Sequence, residues 1–138
     1  MFFQDFLNQY SRTLIMGILN ITPDSFYDGN KYLDSKSLKK RFQKLNKSNI
    51  IDIGAESSRP GAIPISEADE LNRLSKVFPF LNDDKYYSVD TYKPTVAHEA
   101  LKVGAKIIND IRGLQKSSKM AEVISRFNGG VVIMHMQG

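Results

Sequence analysis

Short apolar runs and longer amphipathic stretches alternate along the whole chain. The runs at 13–19, 50–53, 86–89, 106–108 and 130–134 are rich in Ile, Val, Leu and Tyr and too short for helices, so they predict strands. They are apolar at consecutive positions, as in strands covered on both faces. Over 36–47, Leu38, Phe42 and Leu45 share one side of a helix, while Lys36, Lys39, Lys40, Arg41, Lys44 and Lys47 occupy the rest. Ser66 and Asp69 have capping-box spacing, with Asp69 able to reach back to Ser66, and Leu71, Leu74, Phe78 and Leu81 follow at helical spacing. Pro94 suits the first turn of the next helix and Gly104 the position past its end; Val96, Ala100, Leu101 and Val103 form its buried stripe. Met120, Val123, Ile124 and Phe127 supply the last apolar face, which Asn128-Gly129 closes. Strands alternating with helices predict βαβ units and a parallel sheet.

Composition narrows this only a little. At 41% hydrophobic and 25% charged residues the chain is of globular type. It contains no cysteine, which excludes a disulfide framework and a thiolate metal site. No run approaches about 18 apolar residues and 1–12 hold no signal-peptide core, so the expected location is cytoplasmic, with no membrane partner. The net charge of +4 is concentrated in the 36–47 helix; without aromatic interleaving or a binding module it reads as a solvated face, and no nucleic-acid partner is expected.

The chemistry-bearing residues cluster where strands end. Asn20 is followed by Thr22, Pro23, Asp24 and Ser25. This is either a polar turn or a neutral amide oxygen for Mg²⁺, which takes few protein ligands and keeps waters and phosphate oxygens. After the second strand comes Glu56-Ser57-Ser58-Arg59-Pro60-Gly61. There Ser58 offers a hydroxyl and Arg59 a planar fork for phosphate or carboxylate, unless the arginine pairs with a nearby acid. Asp90 ends the third strand and suits the N–H edge of a heterocycle, or a helix cap, or a buried arginine. Asn109 ends the fourth, its amide donating and accepting toward a ring with mixed edges, while Asp110 holds the loop or caps a helix. Met134 offers a pocket wall at the fifth strand end beside His135; His98 lies within a helix, at its surface or in packing.

Functional groups at the carboxyl ends of successive parallel strands are the layout of a β/α barrel. An open doubly wound sheet instead gathers its site at one switch point, usually behind a GxGxxG or GxxxxGKS/T turn, and neither motif stands at 20–26. The expected fold is α/β, a partial (β/α)8 TIM barrel of roughly the first five parallel strands with their helices. The chain's 138 residues compare with about 250 for a whole barrel.

Five stretches carry a resemblance: MGILNITPDSFYDG (16–29), IIDIGAESSRPGA (50–62), SVDTYKPTVAHEAL (88–101), IINDIRGL (107–114) and VVIMHMQG (131–138). In order and spacing they resemble the dihydropteroate synthases, a family of pterin-binding barrels, and residues 1–138 read as the N-terminal portion of that domain. The resemblance implies a transferase of folate synthesis that condenses (7,8-dihydropterin-6-yl)methyl diphosphate with 4-aminobenzoate, releasing diphosphate, with Mg²⁺ as cofactor. By the family pattern Asn20 helps hold the metal, and the loop with Phe26 closes over the aminobenzoate. Ser58, Arg59 and Pro60 face the diphosphate and the aminobenzoate. Asp90 and Asn109 hold the pterin, with Ile111 and Met134 in its pocket, and Asp90 and Arg59 are the catalytic pair. A homodimer is expected if the barrel is complete. Ala55 stands where the family usually has Gly, Ser58 where it has Thr, and Arg112 where a small residue is usual. The family's later Asp, Lys loop and Arg-x-His motif are not among these residues, so the alternative expectation is a non-catalytic fragment or pterin-binding remnant.

Overall fold

The computed structural model describes residues 3–22, 35–59 and 61–134. The elements run α1 (Phe3–Asn8), β1 (Met16–Asn20), α2 (Ser35–Lys44), β2 (Ile50–Gly54), α3 (Glu67–Leu74), β3 (Tyr86–Asp90), α4 (Pro94–Lys102), β4 (Ile107–Asp110), α5 (Ser118–Arg126) and β5 (Gly130–Ile133). The five strands form one sheet in the order β1-β2-β3-β4-β5, every pair parallel. A doubly wound sheet reverses its strand order at the switch point. Here the order never reverses, which is the winding of a β/α barrel.

The strands reach further toward their carboxyl ends than the apolar runs do. β1 ends at Asn20, β3 at Asp90 and β4 at Asp110, so the polar residues belong to the ladder. Ladder bonds are made by the backbone and are indifferent to a polar side chain on an open face. The third helix differs too. It ends at Leu74, and Phe78–Phe80 forms a separate 3₁₀ turn. Pro79 has no N–H to carry the i→i−4 ladder back to Ser75, and the chain closes here with i→i−3 bonds instead, from the Val77 N–H to Leu74 and the Phe80 N–H to Val77. The Ser66 hydroxyl accepts from the Asp69 N–H at 3.1 Å and donates to the Asp69 carboxylate at 2.6 Å. The return contact of this capping box is therefore between side chains.

Side-chain alternation gives the sheet two different faces. Leu19, Ile51, Ile53, Tyr87, Val89 and Ile108 pack under Leu38, Phe42, Leu74, Val96, Ala100, Met120 and Ile124 of the helices, forming the main core. The opposite face splits along its length. At its amino end Ile50 and Ile107 bury against Phe6 of α1, whose ring stacks on Tyr86 at 3.7 Å between centroids. Toward the carboxyl end the same face carries Asp52, Ser88, Asp90 and Asn109. The expectation of cover on both faces fails at the two outer strands, where Ile18 is 64% and Ile133 54% exposed. On α2, Leu38 and Phe42 are buried while Lys36, Lys39, Lys40 and Lys44 are exposed, as the pattern predicts. Among the described residues no helix is long and apolar enough to cross a membrane.

Candidate active site at the strand ends

Strand register sets Asn20, Gly54, Asp90, Asn109 and Val132 in one row across the sheet, with Ile18, Asp52, Ser88, Ile107 and Gly130 one layer beneath. Gly54 matters because of what flanks it. A Cβ there would lie 3.0 Å from Asn20 Oδ1 and 3.7 Å from Asp90 Oδ2. Two oxygens from different strands thus converge over a residue that leaves them room.

Asp90 also lines a small mouth open to solvent, together with Glu56, Ser57, Ser58, Glu70, Thr91, Tyr92 and Ile111. Its carboxyl is pushed up to about 7, first by burial and then by the charges of Asp52, Glu70, Glu56 and Asp110. Of those neighbours Asp52 shares its sheet face. Asp52 is 6% exposed; its Oδ2 accepts from Asn109 Nδ2 at 3.1 Å, while its Oδ1 has no hydrogen-bond partner among the described residues. The Ser88 hydroxyl, in register with Asp52 and fully buried, is also unpartnered.

The loop after β2 is held by a buried ionic knot. Lys93 Nζ donates to Glu56 and to Glu70, with side-chain exposures of 11%, 13% and 1%. Glu56 also accepts from the Tyr92 hydroxyl at 2.7 Å and from the Ile65 N–H at 3.1 Å. Burial alone raises Glu56, but the bonds from Lys93, Tyr92 and Ile65 outweigh it and hold this carboxyl below the ordinary range. For Lys93, burial lowers the ammonium and the two carboxylates more than reverse that, leaving it above the usual lysine value. Glu56 and Ile65 bracket the segment carrying Ser58 and Arg59, so one carboxylate closes that loop and ties it to the residues after β3.

The expected site residues are gathered unevenly. Asp90, Ser58 and Ile111 share the mouth; Asn109 stands beside Asp90 in register, and Asn20 across Gly54 from it. Arg59 is exposed on the same loop as Ser58 and makes no ion pair among the described residues. Met134 is 42% exposed beyond β5 and does not line the mouth. Phe26, Pro60 and His135 lie outside the described residues. Asp110 holds the following turn, accepting from the Arg112 N–H at 2.8 Å and the Leu114 N–H at 2.9 Å. The Arg112 guanidinium lies over the Tyr92 ring, 5.5 Å from its centroid. His98 packs edge-on against Phe127 and faces Glu99, a structural position.

Asp52, Glu56, Lys93 and Glu70 are absent from the expected site. Asp52 had a legible signal, a lone carboxylate inside the apolar run Ile50–Gly54. The Lys93 knot had none, because its members come from three separate segments.

No group of three or more acidic or histidine side chains gathers as a metal cage among the described residues. The Asn20 amide oxygen, at the open end of the row, is a single neutral hard donor of the kind an Mg²⁺ ion that keeps most of its waters would accept.

The chain is thus a β/α barrel segment with polar groups gathered at the carboxyl ends of its strands, the face on which such barrels carry their sites. The family model described as pterin binding enzyme matches residues 16–138, and the chain belongs to that family. It is 47% identical over 133 residues to a dihydropteroate synthase of Bacillus subtilis, covering 94% of this chain and 47% of the relative. With the dihydropteroate synthase of Clostridium beijerinckii it shares 43% identity, covering 90% of this chain and 48% of that one. Among solved structures, a Clostridium difficile dihydropteroate synthase determined in the presence of pteroic acid superposes with a TM-score of 0.84 at 42% identity, over 92% of this chain and 50% of that one. A Xanthomonas albilineans dihydropteroate synthase with 4-aminobenzoic acid gives 0.83 at 36% identity, over 93% and 48%. The chain therefore spans about half the length of the relatives it matches.

Proposed function

We propose that this chain supplies the pterin-binding side of a dihydropteroate synthase, which joins 4-aminobenzoate to (7,8-dihydropterin-6-yl)methyl diphosphate and releases diphosphate. The observation that carries the reading is the row of Asn20, Asp90 and Asn109 across three strands, above a mouth shared with the Ser58 loop. The substrates are those the resemblance implies, and similar structures were determined in the presence of pteroic acid and with 4-aminobenzoic acid.

In the reaction the carbon–oxygen bond to diphosphate breaks, a carbon–nitrogen bond forms at the exocyclic methylene, and the amine proton leaves to solvent. A neutral aryl amine is already nucleophilic, so no strong base is required. What is required is help for the charges that separate. Asp90 is poised to stabilise positive charge delocalised into the pterin, because a carboxylate held up near neutrality gains most from an arriving cation. Asn109 offers an amide to the ring edge beside it. Arg59, exposed on a loop clamped at its base by Glu56, is the guanidinium this reading gives to the departing diphosphate. Mg²⁺, when bound at Asn20 with the diphosphate, neutralises the leaving anion. A homodimer belongs to the same reading and is tested by sedimentation.

The test incubates the purified chain with the pterin diphosphate, 4-aminobenzoate and Mg²⁺. Binding of the pterin is the expected result, and formation of dihydropteroate shows that these residues carry the reaction as well. Pterin binding without product supports a non-catalytic pterin-binding chain instead, and no pterin binding at all refutes the reading.

A further inference from the structure

The buried pair beneath the row is not accounted for by that chemistry. A carboxylate 94% removed from solvent with one oxygen unpaired is costly, and so is a fully buried hydroxyl without a partner. Groups kept at such cost in a site call for an explanation.

The one bond Asp52 makes among the described residues supplies it. A carboxylate only accepts, whereas an Asn amide has a donor end and an acceptor end that differ little in shape. Asp52 Oδ2 faces Asn109 Nδ2 at 3.1 Å, and turning the amide over would set Oδ1 against a carboxylate oxygen. The flipped state loses a charge-assisted bond and gains a repulsion. The amide is therefore held with its nitrogen toward the sheet layer below and its oxygen available to a ligand in the layer of Asp90.

We infer that Asp52 is the positioning residue of the pterin pocket, fixing the amide of Asn109 so that its oxygen, together with the Asp90 carboxylate, selects the amino-bearing edge of the ring over a carbonyl-bearing one. Ser88 beside Asp52 keeps that layer polar without competing for Asn109, since its hydroxyl makes no bond there. The geometry of the inference stands by itself; its ligand rests on the pterin reading above.

The test uses the chain with Asp52→Val and Asp52→Asn. Valine approximates the shape of aspartate, favours a strand and removes a buried charge, so that variant is expected to fold. Asparagine keeps an acceptor for Asn109. The first measurement needs no ligand: NMR exchange of the Asn109 side-chain N–H₂, assigned through Asn109→Ser. It is expected to be slow in the wild type and in Asp52→Asn and at least tenfold faster in Asp52→Val. Equal exchange in all three overturns the inference. The second measures fluorescence titration with pterin and with lumazine, its analogue carrying a carbonyl in place of the amino group. The wild type is expected to prefer pterin by about tenfold, a ratio worth one well-made hydrogen bond, and Asp52→Val to lose the preference while Asp52→Asn retains it. Loss of overall stability with the preference intact overturns the inference, because it leaves Asp52 a merely structural residue. A wild type with a protected Asn109 amide and no affinity for pterin supports the positioning bond and refutes the pterin reading, so the two failures are distinct.

Discussion

Replacing Lys93 by methionine keeps the apolar stem and removes the one cation held between Glu56 and Glu70. Glu56 retains donors in the Tyr92 hydroxyl and the Ile65 N–H, but the Glu70 carboxylate, 1% exposed, faces burial with its charge uncompensated. A carboxyl in that position escapes by binding a proton. Against an ordinary glutamate value of about 4.3, holding the proton costs about 3.7 kcal/mol at pH 7 and about 1 kcal/mol at pH 5. The first figure agrees with the roughly 3–5 kcal/mol seen when one partner of a buried pair is removed. In the wild type, Glu56 lies below its ordinary value, so its contribution is present above the ordinary glutamate range and lost as pH falls through the lowered one. Lys93 lies above its ordinary value, so its contribution persists through neutrality and is lost only as pH rises past the raised value. The wild-type knot is thus intact from pH 5 to pH 8, and any change of the difference across that window comes from the variant. Urea unfolding at pH 7.5 and pH 5 measures it. At an m-value of about 1–3 kcal/mol/M, the midpoint should drop by more than about 1 M at the higher pH and far less at the lower. A loss under about 1 kcal/mol at pH 7.5, or one equal at both pH values, would refute the reasoning. Adding Glu70→Gln to the variant should recover much of the loss.

Four further outcomes concern the strand ends. Asp90 is raised to about 7, so its ionised form burdens the fold, by nothing below the ordinary aspartate value and increasingly as pH climbs toward 7. Asp90→Asn should therefore gain stability over wild type between pH 4 and pH 7 in thermal melts, with no further gain above, whereas Asp90→Ala should abolish pterin binding; unchanged pterin affinity in calorimetry removes its ligand role. Gly54→Ala places a methyl 3.0 Å from Asn20 Oδ1, and should leave far-UV circular dichroism unaltered while lowering pterin affinity about tenfold or more. An affinity within twofold of wild type shows the space over Gly54 is not used. Asn20→Ala should flatten the Mg²⁺ dependence of diphosphate-substrate binding, and a titration unaltered by the substitution excludes it as a metal contact.

Much of this arrangement is legible one residue at a time. Strand ends are marked by apolar runs giving way to Asn20, Asp90 and Asn109, and helix starts by Ser66 and Pro94, because local backbone preferences and capping depend on near neighbours. What is illegible is whatever depends on which segments meet. Tyr92, Lys93, Glu56 and Glu70 each look like ordinary polar residues, and only the parallel pairing of β2 with β3 brings the segments after them into one knot.

The sequence by itself determined the alternation of strands and helices, the parallel sheet and the order of the strand-end motifs, since hydrophobic period and turn chemistry are local properties. It also marked membership of the pterin-binding family, through motifs spaced along the chain. The tertiary structure decided that Asp52 is buried with its carboxylate on the Asn109 amide, that one carboxylate clamps the Arg59 loop, and that Asp90 is held near neutrality. Those depend on burial and on charges from other strands, and a carboxylate acquires its character from the dielectric and the partners around it rather than from its neighbours in sequence.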